Sequence, residues 1–397
     1  MIYKNEFNYI LQLLKCAVSD SIPPNPTNNL DWEVIFKIAK KHKICSTIYF
    51  GLQKLPASTQ NMIPHFHDYF LAYQKNLILD ANRSFEIDNL KNEFENNNID
   101  YVLLKGSVTK YLYPDTSMRV MSDTDIFYRI HADKTESLIS IMEKNGYKIS
   151  AREPKEVSFI KPLIATSQYM KIEMQTDLID EGYEIWHTYL SDIWNRLILK
   201  KGHEYMMSDE DFYLYHIIHM AKHFKNGGIG LIHVLDVFII QNAYKNFDRK
   251  YIEKELKKTG LLQFEQNITL LADNWFHTKS PKLNNDQKIT LQLLESYIFS
   301  GGAFGSKIQQ ETNHIVERDD TKVSLLKKIF PTKNIMINYY GNILNRHSWL
   351  LPFFWIRLNF KRLFFTRNEA KLNYKAMNQI TDTKITKTKD LMKRCGF

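Results

Sequence analysis

The sequence predicts an α+β protein: a small mixed β-sheet core at about residues 99–180, embedded in mostly helical N- and C-terminal regions. Three observations predict it. Apolar residues recur at helical spacing before residue 98 and again after 181, whereas short alternating apolar runs cluster between 99 and 178. The chain has 397 residues, 44% of them hydrophobic, which is enough apolar material to bury a sizeable core.

In the first region, 1–98, Phe7, Ile10, Leu11, Leu13 and Leu14 mark one helical face. Pro23-Pro24-Asn25-Pro26 breaks the chain, and Asp31 is placed to cap a helix carrying Val34, Ile35, Ile38 and Ala39. A longer helix is expected from about Ile63 to Asn96. In the second region, 99–180, Ile99–Leu104 reads as a strand and Val120–Tyr128 alternates around two carboxylates. Leu138–Met142 lies in a helix ending at Asn145-Gly146, and Val157–Ile160 and Tyr169–Gln175 read as further strands. The third region, 181–365, returns to helices at Asp209–Phe224, Leu231–Tyr244, Tyr251–Lys258, Leu261–Trp275, Asp286–Phe299 and Ser324–Ile329. Ser300–Gly305 reads as a turn, because no strand precedes it as a dinucleotide or phosphate loop requires. The last region, 366–397, is basic, and its Lys/Thr-rich stretch Thr381–Lys389 is expected to be mobile.

Charge narrows the function. Lys+Arg 53 against Asp+Glu 44 gives +9, yet residues 357–397 hold eleven basic and three acidic residues, leaving +1 for the other 356. A protein that grips a nucleic-acid template carries its positive charge across the folded body, so templated nucleic acid is not an expected partner. Cys16, Cys45 and Cys395 are far apart, without the spacing of a disulfide framework or a thiolate zinc site. No apolar run approaches the roughly 18 residues of a membrane span, and no basic segment leads into an apolar core at Met1. A cytoplasmic location is the expectation. Trp349–Phe365, mixing aromatics with Arg357, Lys361 and Arg362, suits either packing on the helical region or contact with an anionic membrane surface.

The most specific local feature is Lys105-Gly106-Ser107 followed by Arg119 and Asp123-Thr124-Asp125. On a strand, Asp123 and Asp125 project to one side, and paired carboxylates are tolerated when a cation neutralises them; hard oxygen ligands suit Mg²⁺ or Mn²⁺. Glu173 supplies a third carboxylate, because Met170, Ile172 and Met174 form one face of their strand and leave Lys171, Glu173 and Gln175 on the other. Gly106 and Ser107, at a strand-to-helix turn, let backbone amides and a hydroxyl approach phosphate. Lys105 and Arg119 either neutralise phosphate charge or pair structurally with the carboxylates. His216, His219 and His223 share a helical face with Lys222 beside it, but lack the Cys or carboxylate spacing of a zinc site; ligand contact and plain packing both fit.

Together these residues resemble the nucleotidyltransferase superfamily of the DNA polymerase beta type. More narrowly, Leu104-Lys105-Gly106, Tyr113-Pro114, Arg119, Asp123-Thr124-Asp125-Ile126, Ile329-Phe330-Pro331 and Trp349–Arg357 are similar to a poorly characterised bacterial nucleotidyltransferase branch, in ordered blocks from about 30 to 365. The resemblance implies Mg²⁺- or Mn²⁺-dependent transfer of a nucleoside monophosphate from a nucleoside triphosphate, ATP included, with release of pyrophosphate. The acceptor would carry a hydroxyl on a small molecule, glycan, lipid-linked group or protein. Asp123, Asp125 and Glu173 would be catalytic and hold the metal. Lys105, Gly106, Ser107 and Arg119, with His219, Lys222 and Asp236 facing the cleft, would bind nucleotide or acceptor. Two departures stand out. Asp123 lies sixteen positions after Ser107, and Glu173 and Gln175 occupy places where the branch has Asp and His. Gln175 cannot act as a base, so the alternative is a nucleotide- or ligand-binding protein that keeps the fold without the chemistry.

Overall fold

A computed structural model describes residues 3–129, 135–164, 166–317, 330–331, 333, 336, 343–364 and 375–397. Its class is α+β, as the sequence predicts, with a seven-stranded mixed sheet set among helices. The strands are β1 (Asp100–Leu103), β2 (Thr124–Arg129), β3 (Lys148–Glu153), β4 (Glu156–Pro162), β5 (Tyr169–Gln175), β6 (Ile198–Lys201) and β7 (Glu204–Met206). Their order is β3-β4-β5-β2-β1-β7-β6. β2 runs parallel to β5 and antiparallel to β1, while β4 lies antiparallel to β5.

Alternation gives the central strands two different faces. Ile126 and Tyr128, Met170, Ile172 and Met174, and Val157 and Phe159 turn to one side. They pack there on Leu79, Leu90 and Phe94 of the long helix Phe66–Asn96 and on Leu138, Ile139 and Met142 of the helix Thr135–Lys144. The opposite face joins the main core through Val102 and Phe127, but carries carboxylates where β2, β4 and β5 meet.

Helices Asp209–Asn226, Leu231–Ala243 and Leu262–Phe276 build the main core with the N-terminal helix Lys4–Ala17. Asp31 caps the helix Trp32–Lys41 by accepting from the Val34 amide, and Ser208 caps Asp209–Asn226 in the same way through Asp211. The helix Leu231–Ala243 is apolar nearly all round because it is buried nearly all round; His233 and Asp236 are its buried polar residues.

Three sequence expectations are corrected or completed. The Lys/Thr-rich end is ordered into secondary structure: Asp382–Arg394 is a helix capped by Thr381, with Leu391, Met392 and Cys395 in the main core and Arg394 bonded to Asp286 at 2.6 Å. Its basic residues face outward while an apolar stripe docks, a pattern that composition alone hides. Strands β3, β6 and β7 also join the sheet; their residues are mostly exposed and so lack an apolar alternation to announce them. Helix Leu351–Phe364 packs with a small separate cluster of Met336, Leu344 and Leu358. Ser324–Ile329 lies outside the described residues. Among the described residues no helix is long and apolar enough to cross a membrane.

Candidate active site

β1 ends in a strained turn. Lys105 has φ +50°, which an L residue adopts only when its surroundings demand it, and Gly106 opens the short helix Gly106–Thr109. A Cβ on Gly106 would stand 3.3 Å from the Met121 side chain, so the glycine lets the turn approach the segment leading into β2. The turn aims Lys105 back over the sheet, where Nζ donates to Asp125 Oδ1 at 2.7 Å.

Register brings the acidic residues together. Asp125 on β2 stands directly opposite Glu173 on the parallel strand β5, and Glu173 in turn stands opposite Ser158 on β4. Cross-strand partners share a face, so both carboxylates project into one cleft of about 810 Å³, which Asp123 also lines from the bend before β2. Gln175 donates from Nε2 to the same Asp125 oxygen at 2.7 Å, and Lys171 pairs with Glu173. The charge of Asp123 acts on five surrounding cations, Lys43, Arg83, Lys105, Arg119 and Lys171. Burial works against the Lys105 ammonium, but Tyr215, Asp125 and Asp123 hold its pKa above the ordinary lysine value. Tyr215 itself, buried with its hydroxyl unpartnered among the described residues, is raised by burial first and then by Asp125 and Glu173, against the opposing pull of Lys105.

The remaining predicted residues divide. Gly106, Arg119, His219, Lys222 and Asp236 line the cleft. Ser107 is set back from its wall, with a buried hydroxyl that has no partner among the described residues. Arg119 is committed to Asp236: Nε and Nη2 donate at 2.8–3.0 Å, Nη1 donates to the Val120 carbonyl, and Tyr113 donates to Asp236 Oδ1 at 2.7 Å. Lys222 pairs with Asp180 at 2.6 Å.

The histidines form one wall. His219 and His223 share a 2.8 Å bond between their Nε2 atoms, so one ring donates and the other accepts. Burial, with help from nearby lysines, pulls His223 to about 4 and His219 well below the ordinary value. His216 and His233 are depressed for the same first reason.

Sequence reasoning missed two residues here. Lys43, in the turn after the helix Trp32–Lys41, has φ +57° and donates to Ser122 Oγ at 2.5 Å, beside Asp123. Glu156 faces the same cleft as Glu173; burial and then the Glu173 charge raise its pKa. Neither sits in a recognisable motif, although Glu156 opens an alternating strand.

Among the described residues no group of three His, Cys, Asp or Glu side chains is drawn closely enough to hold a metal ion. As the side chains stand, Asp125 is turned to Lys105 and Gln175, and Glu173 to Lys171. The donor set nevertheless has the chemistry of a hard divalent cation: carboxylate oxygens from adjacent strands, with ammonium groups supplying the positive charge.

Residues 28–277, more than half of the chain, match the profile of the uncharacterised nucleotidyltransferase family. The chain belongs to that family. A search of curated proteins and of solved structures returned no match. The nucleotidyltransferase match contains every sequence-predicted site residue from Lys105 to Asp236, together with Lys43 and Glu156. It thereby covers every carboxylate of the cleft, while Ala303 and Phe304 of the lining lie beyond it, and it supports a general nucleotidyl transfer role. Residues 343–364 and 382–394 lie beyond the match.

Proposed function

We propose that the protein transfers a nucleoside monophosphate from a nucleoside triphosphate to a hydroxyl-bearing acceptor and releases pyrophosphate. The transfer uses Mg²⁺ or Mn²⁺ held by Asp123, Asp125 and Glu173. The observation that carries this reading is the register match of Asp125 with Glu173 on parallel strands, beneath the Lys105-Gly106 turn.

Charge supports a cation requirement. The cleft is lined by nine carboxylates, Asp123, Asp125, Glu153, Glu156, Glu173, Asp177, Asp180, Glu181 and Asp236, against Lys43, Lys105, Arg119, Lys155 and Lys222. Nine minus five leaves a lining charge of −4, because burial keeps the lining histidines neutral, and Lys171, paired with Glu173 from outside the lining, offsets only one of these charges. A triphosphate entering that wall is repelled unless cations accompany it. When bound, the cations neutralise the triphosphate and lower the pKa of the acceptor hydroxyl.

The chain's own residues do the rest. Gln175 fixes the Asp125 carboxylate. Lys105, which donates to Asp125 from the turn above it, would offset charge that grows on the leaving pyrophosphate. Gly106 leaves room for the backbone to approach phosphate. The volume falls within the roughly 300–1,000 Å³ of small-molecule sites, enough for a nucleotide and the reacting end of an acceptor on a small molecule, glycan, lipid-linked group or protein.

Incubation with Mg²⁺ or Mn²⁺ and each α-labelled triphosphate, ATP included, tests the reading. Pyrophosphate release that disappears in Asp125→Asn is expected; equal release by the variant contradicts it. A second reading, nucleotide binding without turnover, is favoured by Gln175, which cannot accept a proton. Saturable nucleotide binding by the wild type with no pyrophosphate release supports that one.

A further inference from the structure

We infer that the helix Leu351–Phe364 and the turn before it form an in-plane anchor for an anionic lipid surface. This segment lies beyond the nucleotidyltransferase match, and the inference is independent of the proposed chemistry. One side of the helix is occupied: Leu358 is buried with Met336 and Leu344, and Leu351, Phe354 and Trp355 pack against them. The other side is also apolar. Trp349 is 70% exposed, Phe353 64% and Ile356 68%. Their spacing of four and three residues sets them in one row. A helix that is apolar on both sides needs two apolar environments, and the small cluster supplies one.

Charge identifies the second. Residues 321–368 contain nine Lys and Arg and no Asp or Glu, so this stretch carries a charge equal to the +9 of the whole chain. Exposed Arg346 and Arg357 flank the aromatic row. Tryptophan and phenylalanine beside basic residues are the composition of helices that settle at the headgroup boundary of anionic bilayers. Fourteen residues span about 21 Å at 1.5 Å each, short of the roughly 30 Å hydrocarbon core, so the helix lies along the surface.

Flotation of the full chain with phosphatidylcholine vesicles, with and without 30% phosphatidylglycerol (about that fraction gives a strongly anionic surface), tests the inference. Binding to the anionic vesicles alone is expected. Trp349→Ser/Phe353→Ser/Ile356→Ser should reduce it at least ~10-fold while leaving any pyrophosphate release unchanged. Arg346→Glu/Arg357→Glu, which keeps the apolar row, should weaken it as well. Failure of the wild type to float with anionic vesicles, or equal flotation of either variant, overturns the inference. So does self-association that the triple variant abolishes in a protein that binds no vesicles, which would make a second copy the occupant.

Discussion

Gln175 donates from Nε2 to Asp125 Oδ1 at 2.7 Å, so the residue two positions beyond Glu173 on β5 holds the very carboxylate that Glu173 faces across the strand pair. A glutamine here offers a neutral donor. It fixes the rotamer of Asp125 without adding charge to an already acidic wall. Gln175→Glu would set two carboxylates against each other and should abolish pyrophosphate release. Gln175→Ala should lower it ~10–100-fold, the usual cost of removing a partner that orients a metal ligand, with little change in thermal midpoint. Steady-state assays beside melting curves check both.

The Arg119–Asp236 pair is buried, with Asp236 fully enclosed and the Arg119 side chain 15% exposed. Asp236→Ala removes the partner and leaves a guanidinium and the Tyr113 hydroxyl without their acceptor. The expected loss is about 3–5 kcal/mol of stability, as for other buried pairs broken on one side. A fall in the chemical-denaturation midpoint measures it.

Strand β5 and helix Asp209–Asn226 were legible in the sequence because their patterns are local: alternation around Met170, Ile172 and Met174, and a long apolar period from Asp209 to Phe224. The pairing of Asp125 with Glu173 was legible only as a shared residue type, since register depends on which strands become neighbours. Lys43 was not legible at all. It reaches the cleft from a turn of positive φ, far along the chain from Ser122 and Asp123, and nothing near it in sequence signals that approach. The docked Asp382–Arg394 helix was masked by its exposed lysines, which dominate composition while Leu391 and Met392 decide placement.

Acid should destabilise the fold through the cleft histidines. His216 and His223 are held at about 4, and His219 and His233 well below the ordinary value, by burial. The unfolded chain binds protons at these sites once the pH drops below about 6.5, while the folded chain does not. Protons then favour the unfolded state, so stability falls as pH decreases from about 6.5 to about 4. The thermal midpoint should be lower at pH 5 than at pH 7, and His216→Gln should flatten that dependence.

The C-terminal helix should be structural. Leu391 is 1% exposed in the main core, and Asn267 donates to the Arg394 carbonyl at 2.9 Å. Leu391→Ala should cost ~2–5 kcal/mol, the range for a buried leucine truncated to alanine. Equilibrium denaturation gives the value.

Lys43 should act on nucleotide affinity. Its ammonium sits 4.8 Å above the Phe304 ring and beside Asp123, at the edge of the cleft. Lys43→Ala should weaken triphosphate binding ~10-fold, about the worth of one charged hydrogen bond to a ligand. Calorimetric titration with a non-hydrolysable triphosphate in Mg²⁺ checks it.

A crystal structure with Mn²⁺ and a non-hydrolysable triphosphate, the manganese located by anomalous scattering, examines the carboxylate cleft itself. Manganese is expected between Asp125 and Glu173 with Asp123 as a further ligand, and Lys105 and Lys171 swung off their carboxylates. Manganese and triphosphate ordered elsewhere, with Asp125 still closed on Lys105 and Gln175, would contradict that expectation.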